Sequence, residues 1–223
     1  DFGKGFSGGK KNEENLFDLI KVLEEVDGVD RYRISSIEPN LLTNEIIEFV
    51  SYSKKMMPHF HIPLQSGSDK ILGLMRRRYK RNLYLERVAL IKKMIPHCCI
   101  GVDVIVGFPG ETDEDFMETF NFLHQQDISY LHVFTYSERP NTLAAEMEPV
   151  VPINIRHHRN KTLRSLSYQK MQYFTNTHIG ETRKVLFETK NKNGMIEGYT
   201  DNYIKITAPY NEAWENNIVE WKI

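Results

Sequence analysis

The sequence predicts an α/β protein, with parallel strands joined by helices and a short all-β segment at the end. Three observations predict this. Val102, Val104, Ile105 and Val106 form a β-branched run, the pattern of a buried strand. Gly107, Pro109 and Gly110 stop it, and Phe116, Met117, Phe120 and Leu123 then recur at helical spacing. That strand-to-helix alternation occurs at least four times before Pro149, and short strands with tight turns take over from Gly180.

Residues 1–11, Asp-Phe-Gly-Lys-Gly-Phe-Ser-Gly-Gly-Lys-Lys, match neither a kinase nor a P-loop. No kinase companions follow the Asp-Phe-Gly, and no hydroxyl residue follows the lysines. A flexible loop is expected there. Leu16, Leu19, Ile20, Leu23 and Val26 share a helical face that Gly28 closes. A strand over 32–36 leads to Glu38. Thr43 caps a helix through Ile46, Phe49 and Val50. A strand over 59–64 ends in Gln65-Ser66-Gly67-Ser68, and Ile71, Leu72 and Met75 mark the next helix. Tyr84, Val88, Ile91 and Ile95 mark another. The strand through Asp103 follows, then a helix that Thr112 caps with Asp115 three residues on, then a strand over 130–135 ending in Tyr136-Ser137.

Parallel strands with right-handed crossovers bring their carboxyl ends to one rim. Glu38, Gln65 with Ser66, Asp103, and Tyr136 with Ser137 would gather there. Asp103 interrupts an apolar run, and a buried carboxylate is costly without a partner. A ligand hydroxyl or a backbone donor is the expected partner.

Beyond Pro152 one long polar helix is expected to residue 176. Strands over 183–188, 195–199, 203–207 and 218–223 follow, with Asn193-Gly194 as a hairpin turn. They suggest a small antiparallel β-barrel of the kind that binds nucleic acid. The net charge of −1 gives no bulk attraction to nucleic acid, so local patches must supply it. Apolar residues make up 40% of the chain, enough for a core. No apolar run reaches membrane-spanning length, and nothing resembles a signal peptide. Cys98 and Cys99 are too few for a disulfide scaffold, which fits a reducing, cytoplasmic setting. The chain starts at Asp1, without methionine, and reads as part of a longer protein. His157-His158 is set aside as a metal site, because neighbours on a helix point apart. No catalytic residue and no metal ligand are assigned.

Four motifs carry a resemblance. They are Ser35-Ser36-Ile37-Glu38-Pro39, His61-Ile62-Pro63-Leu64-Gln65-Ser66-Gly67-Ser68, Met75-Arg76-Arg77-Arg78-Tyr79, and the run from Asp103 to Thr112. Together, in that order, they resemble the radical S-adenosylmethionine methylthiotransferases. Arg33 to Pro39 and the arginine run most resemble the branch acting on N6-threonylcarbamoyladenosine-37 of tRNA. Sister branches act on isopentenyladenosine-37 and on a ribosomal protein. The resemblance implies an open, partial (β/α) barrel of TIM type over 1–150. It further implies a linker helix over 151–178 and a TRAM barrel, small and OB-like, over 179–223.

It also implies cofactors and partners. The family uses S-adenosylmethionine and 4Fe-4S clusters held through Cys-x3-Cys-x2-Cys and an N-terminal domain. Neither cysteine set is in this chain, and Cys98-Cys99 cannot replace them. This fragment alone is therefore expected to be inactive. The expected cofactor contacts are Glu38, Gln65, Ser66, Asp103, Gly107, Phe108 and Tyr136. Acidic and amide oxygens suit ribose hydroxyls, glycine lets the backbone approach adenine, and Phe108 packs on it. Glu111 is read as complementing a helix N-terminus. The tRNA anticodon stem-loop is the expected partner. Its expected contacts are Arg76, Arg77, Arg78, Lys80, Arg81, Arg183, Lys184, Tyr203 and Lys205, with a second run at Arg156, Arg159, Lys161 and Arg164. In the intact enzyme a radical from the cofactor would take hydrogen from carbon 2 of the adenine, where a methylthio group is inserted. Two other readings remain: an ordinary (β/α)-barrel enzyme with Glu38 or Asp103 as general base, and a non-catalytic RNA-binding module.

Overall fold

The computed structural model describes residues 6–7, 10–11, 15–190 and 193–223. Much of the expected loop over 1–11 lies outside these residues. Its described part is a minimal antiparallel hairpin, β1 (Phe6–Ser7) with β2 (Lys10–Lys11).

Helix α1 (Leu16–Glu24) starts at a capping box between Asn15 and Asp18 and buries Ile20. Four strands then alternate with helices: β3 (Tyr32–Ile34), α2 (Asn44–Tyr52), β4 (Met56–His61), α3 (Asp69–Leu74), α4 (Arg81–Met94), β5 (Cys99–Val106), α5 (Asp113–Gln125), β6 (Tyr130–Thr135) and α6 (Ile153–Asn176). The strands pair in parallel in the order β3-β4-β5-β6. Sequential order means each crossover lands next to the last, as in an arc of a (β/α) barrel. The parallel α/β sheet that the sequence predicts is what forms.

The two faces of the sheet differ. Ile100, Val102, Val104 and Val106 are fully buried and face the helices, where they join Ile46, Ile47, Tyr84, Ile91 and Leu123. Alternate residues face the other side, and many of those side chains are polar: Arg33, His59, His61, Asp103, Tyr130 and His132. His59 Nε2 bonds the Tyr130 hydroxyl at 3.0 Å, and His61 Nε2 bonds Asp103 Oδ1 at 2.8 Å. Gly101 makes room for this layer, since a Cβ there would lie 2.3 Å from the Tyr130 hydroxyl.

Helix α6, expected as a linker, packs as the last helix of the sheet. Leu163 and Leu166 enter the core. Its polar side chains also cover the outer edge of β6. Ser167 Oγ accepts from the Leu131 N–H at 2.8 Å and donates to its carbonyl at 2.9 Å, and Asn160 donates to Val133 O at 3.1 Å.

The second sheet contains β7 (Thr182–Lys190), β8 (Met195–Thr200), β9 (Lys205–Pro209) and β10 (Ile218–Lys222), antiparallel in the order β10-β7-β8-β9. Among the described residues β10 and β9 do not pair, so the sheet is open where a closed barrel was expected. Val185, Phe187, Ile196, Ile206 and Ala208 alternate onto its inner face, with Trp214 and Trp221 against Phe187. This core continues into Cys99 and Tyr130 of the first sheet. Tyr203 is the joint: it stacks on Tyr199, lies 4.4 Å from the His59 ring, and carries the Arg33 guanidinium 4.3 Å from its centre. Among the described residues no helix is long and apolar enough to cross a membrane.

Candidate active site at the carboxyl rim

A cleft of about 1130 Å³ opens at the carboxyl ends of β4, β5 and β6. Gln65, Asp103, Phe108 and Tyr136 line it, together with Arg76, Arg77, Phe134, Arg139, Leu143 and Met147. This is where ligands bind in sheets of this topology.

Local backbone geometry aims each group. Gln65 has a φ of 71°, a conformation that L side chains rarely adopt. Two bonds hold it there: its N–H donates to Asp103 O at 2.8 Å and its carbonyl accepts from Ile105 N at 2.9 Å. Asp103 Oδ1 accepts from His61 at 2.8 Å and lies 3.5 Å from His132 Nδ1. Within the protein the partners of this carboxylate are two imidazoles, not the backbone donor offered as one expectation, and among the described residues no hydrogen bond reaches Oδ2. Phe108 packs edge-on against Tyr136 at 5.3 Å. The Tyr136 hydroxyl and Arg77 Nε are buried with no hydrogen-bond partner. Unsatisfied buried polar atoms on a cleft wall are what a bound ligand would satisfy.

The expected cofactor contacts therefore separate. Gln65, Asp103, Phe108 and Tyr136 meet in the cleft. Glu38 is not among the lining residues and is bonded to Arg77, which is, at 3.3 Å. Ser66 turns away, since its buried hydroxyl bonds Thr119 at 3.1 Å and accepts from Ser68 N. Gly107 is needed for another reason than the expected one. Its φ is 76°, its N–H donates to Glu111 at 2.6 Å, and a Cβ would lie 2.3 Å from Arg156 Cγ. The space over Gly107 holds Arg156, not an approach path for adenine.

That elbow is braced from α6. Arg156 donates to Val151 O, Tyr136 O and Glu138, and Arg159 bonds Glu111 at 2.6 Å and Asp113 at 2.7 Å. Arg156 and Arg159 are buried, so two members of the second expected RNA run work inside the protein. Glu111, read as complementing a helix end, is instead half of a buried ion pair. Burial pushes its carboxyl up, against the Gly107 N–H and Arg159, which favour the charge.

The first arginine run divides in the same way. Tyr79 is buried and donates to Pro63 O at 3.0 Å. Arg77 pairs with Glu38 and Arg81 with Glu118. Arg76, Arg78 and Lys80 are exposed. On the second sheet, Arg183 is held by Glu181 and Asp201, Lys205 pairs with Glu197 at 2.7 Å, and Lys184 is exposed. Tyr203 is turned into the joint between the sheets.

Sequence reasoning missed His61 and His132. The signal was present in the strand period: His132 stands directly opposite Asp103 in the β5–β6 register. The donor atoms of His61, Asp103 and His132 lie within 4.8 Å of one another. The hydrogen bond at 2.8 Å accounts for the closest of these approaches. Cys98 and Cys99 are buried, and burial pushes both thiols up, Cys99 to about 12. They stay protonated, unlike the thiolates that hold an iron–sulfur cluster.

The sequence matches the radical SAM superfamily over residues 4–123, so the chain belongs to that superfamily. The chain has sequence relatives named as tRNA methylthiotransferases or as synthases of a methylthio-adenosine. It is 40% identical to the threonylcarbamoyladenosine tRNA methylthiotransferase of Bacillus subtilis (strain 168), over 97% of this chain and 50% of that protein. It is 40% identical to the Aquifex aeolicus (strain VF5) protein of the same name, over 86% and 46%. It is 37% identical to the tRNA-2-methylthio-N(6)-dimethylallyladenosine synthase of Pelotomaculum thermopropionicum, over 79% and 39%. The chain thus spans about half the length of the curated relatives it matches. Among solved structures, coproporphyrinogen III oxidase of Escherichia coli, a radical SAM enzyme, shares the fold with a TM-score of 0.52 at 14% identity, over 63% of this chain and 32% of that one.

Proposed function

We propose that this chain is the nucleoside-binding part of a tRNA methylthiotransferase that modifies C2 of N6-threonylcarbamoyladenosine-37. The observation carrying this reading is the cleft itself, where an amide, a carboxylate and an unsatisfied phenol converge beside an aromatic wall. That donor set fits the nucleoside half of S-adenosylmethionine. Asp103 and Gln65 accept from the ribose hydroxyls, the Tyr136 hydroxyl takes a remaining polar atom, and Phe108 lies against the adenine. When bound, the cofactor supplies the radical chemistry and the methyl group. The residues of this chain orient it and keep water from the reacting end. The described residues do not fit an iron–sulfur cluster, so cluster ligands belong to other segments of the protein.

His61 and His132 hold the Asp103 carboxylate in place, and α6 fixes the elbow beneath Phe108. Residues 1–150 with α6 act as the radical core, and 179–223 act as a TRAM-like grip on the anticodon stem-loop. Exposed Arg78, Lys80 and Lys184 meet phosphates, with Lys205 exchanging Glu197 for RNA. The names of the sequence relatives support tRNA as the substrate.

The test uses the full-length, cluster-loaded protein. Asp103→Asn and Tyr136→Phe should each weaken S-adenosylmethionine binding by about 10-fold in calorimetry, the worth of one hydrogen bond to a ligand. Unchanged affinity in both variants would remove the cofactor from this cleft.

A further inference from the structure

We propose that Arg76 selects the substrate, by binding the carboxylate of an amino-acid substituent on the target adenine. The inference rests on the proposed function and names the group that reads the substituent.

The backbone at Arg76 is the first observation. Helix α3 ends in a Schellman motif, with Arg77 N bonded to Leu72 O at 2.9 Å and Arg76 N to Gly73 O at 2.9 Å. The motif places Arg76 in the left-handed region, at a φ of 55°. Glycine, or sometimes asparagine, normally fills that position, because a β-carbon is strained there. An arginine is a poor choice for closing a helix, so the side chain needs another reason to be there.

The second observation is where that side chain goes. Arg76 lines the cleft, is exposed, and has no ion pair or side-chain hydrogen bond among the described residues. Its neighbour Arg77 is already bonded to Glu38. Arg76 therefore presents an uncommitted planar guanidinium at the rim, suited to a two-pronged bond with a carboxylate.

The third observation is chemical. The relatives are named for two adenosine substituents. Threonylcarbamoyl carries a carboxylate and dimethylallyl carries only hydrocarbon. An exposed guanidinium at the rim gains a charged bond with the first and none with the second, which favours the first.

The experiment compares wild-type, Arg76→Asn and Arg76→Lys full-length, cluster-loaded enzyme on tRNA bearing either substituent. Asparagine tolerates the left-handed backbone, so the Arg76→Asn melting temperature should equal or exceed the wild-type value. The variant should lose about 10- to 100-fold in kcat/KM on threonylcarbamoyl tRNA. Its cofactor affinity should not change, and Arg76→Lys should recover only part of the loss. In binding assays the methyl ester of the threonylcarbamoyl group should bind the wild type as weakly as the free acid binds Arg76→Asn. Equal losses on both tRNAs would overturn the assignment and give Arg76 to the phosphate backbone. Weaker cofactor binding would overturn it and give Arg76 to the cofactor carboxylate. A wild type that binds cofactor but ignores both tRNAs would remove the assignment's premise. A wild type that binds no cofactor would refute the parent reading itself.

Discussion

Arg159 reaches from α6 to Glu111 at 2.6 Å, with side-chain exposures of 5% and 1%. Glu111 in turn accepts the N–H of Gly107 at 2.6 Å, so one buried pair ties the last helix to the elbow below the cleft. Arg159→Ala would leave a buried carboxylate without its partner and should cost about 3–5 kcal/mol in urea unfolding. The double variant Arg159→Met with Glu111→Gln should cost less than Arg159→Ala alone. A cost above that of Arg159→Ala would show that the charges themselves hold the elbow.

Gly107→Ala meets the same brace from the other side. The new Cβ would lie 2.3 Å from Arg156 Cγ, and Arg156 cannot move without breaking its bonds to Val151, Tyr136 and Glu138. With the positive φ added, the expected loss is about 2–4 kcal/mol. A melting temperature within a degree or so of wild type would refute this.

His59 gives the protein an acid limb. Burial, then the charges of Arg33, His61 and His132, depress its pKa from 6.5 to about 3. A group depressed on folding contributes stability that is present above its unfolded pKa and lost as pH falls through the folded one. The loss should therefore run from about pH 6.5 towards 3. It should amount to about 2–3 kcal/mol by pH 4.5, at roughly 1.4 kcal/mol per pH unit. Urea midpoints measured against pH should show this slope, and His59→Gln, which keeps a partner for Tyr130, should flatten it.

Tyr203→Ala removes the ring that Tyr199, His59 and Arg33 all touch. The expected cost is about 2–4 kcal/mol. Hydrogen exchange should rise in β8 and β9 before it rises in β4 and β5. Uniform acceleration across both sheets would mean that they unfold as one unit regardless of Tyr203.

The cysteines should be silent. Cys98 and Cys99 are buried, with thiols pushed up by burial, so a thiol reagent near pH 8 should label the native protein far more slowly than the urea-unfolded one. Fast labelling of the native chain would contradict their burial, Cys98 in the core of the parallel sheet and Cys99 under the second sheet.

The strand-to-helix alternation was legible because β5 carries a β-branched run at Val102, Val104, Ile105 and Val106 that Gly107 stops. The capping box at Thr112 and Asp115 formed as expected. The convergence of Gln65, Asp103 and Tyr136 followed from parallel topology alone. Which charges face solvent was not legible. Arg78 and Arg81 look alike in the sequence, yet one is exposed and the other meets Glu118 on α5, a pairing that depends on where α4 begins. Ser66 and Gly107 sat in the right motifs, but their side-chain directions were set by Thr119 and Arg156, residues 53 and 49 positions away. The open second sheet was also hidden, because strand spacing does not reveal whether edge strands close.

Ser167 and Asn160 engage the outward Leu131 N–H, Leu131 carbonyl and Val133 carbonyl of β6. A strand offered from elsewhere would have to displace them to add on that flank. On the opposite flank, no described strand pairs with the far side of β3. Growth of the parallel sheet is therefore one-directional, and any segment that extends the arc must dock beside Tyr32 to Ile34.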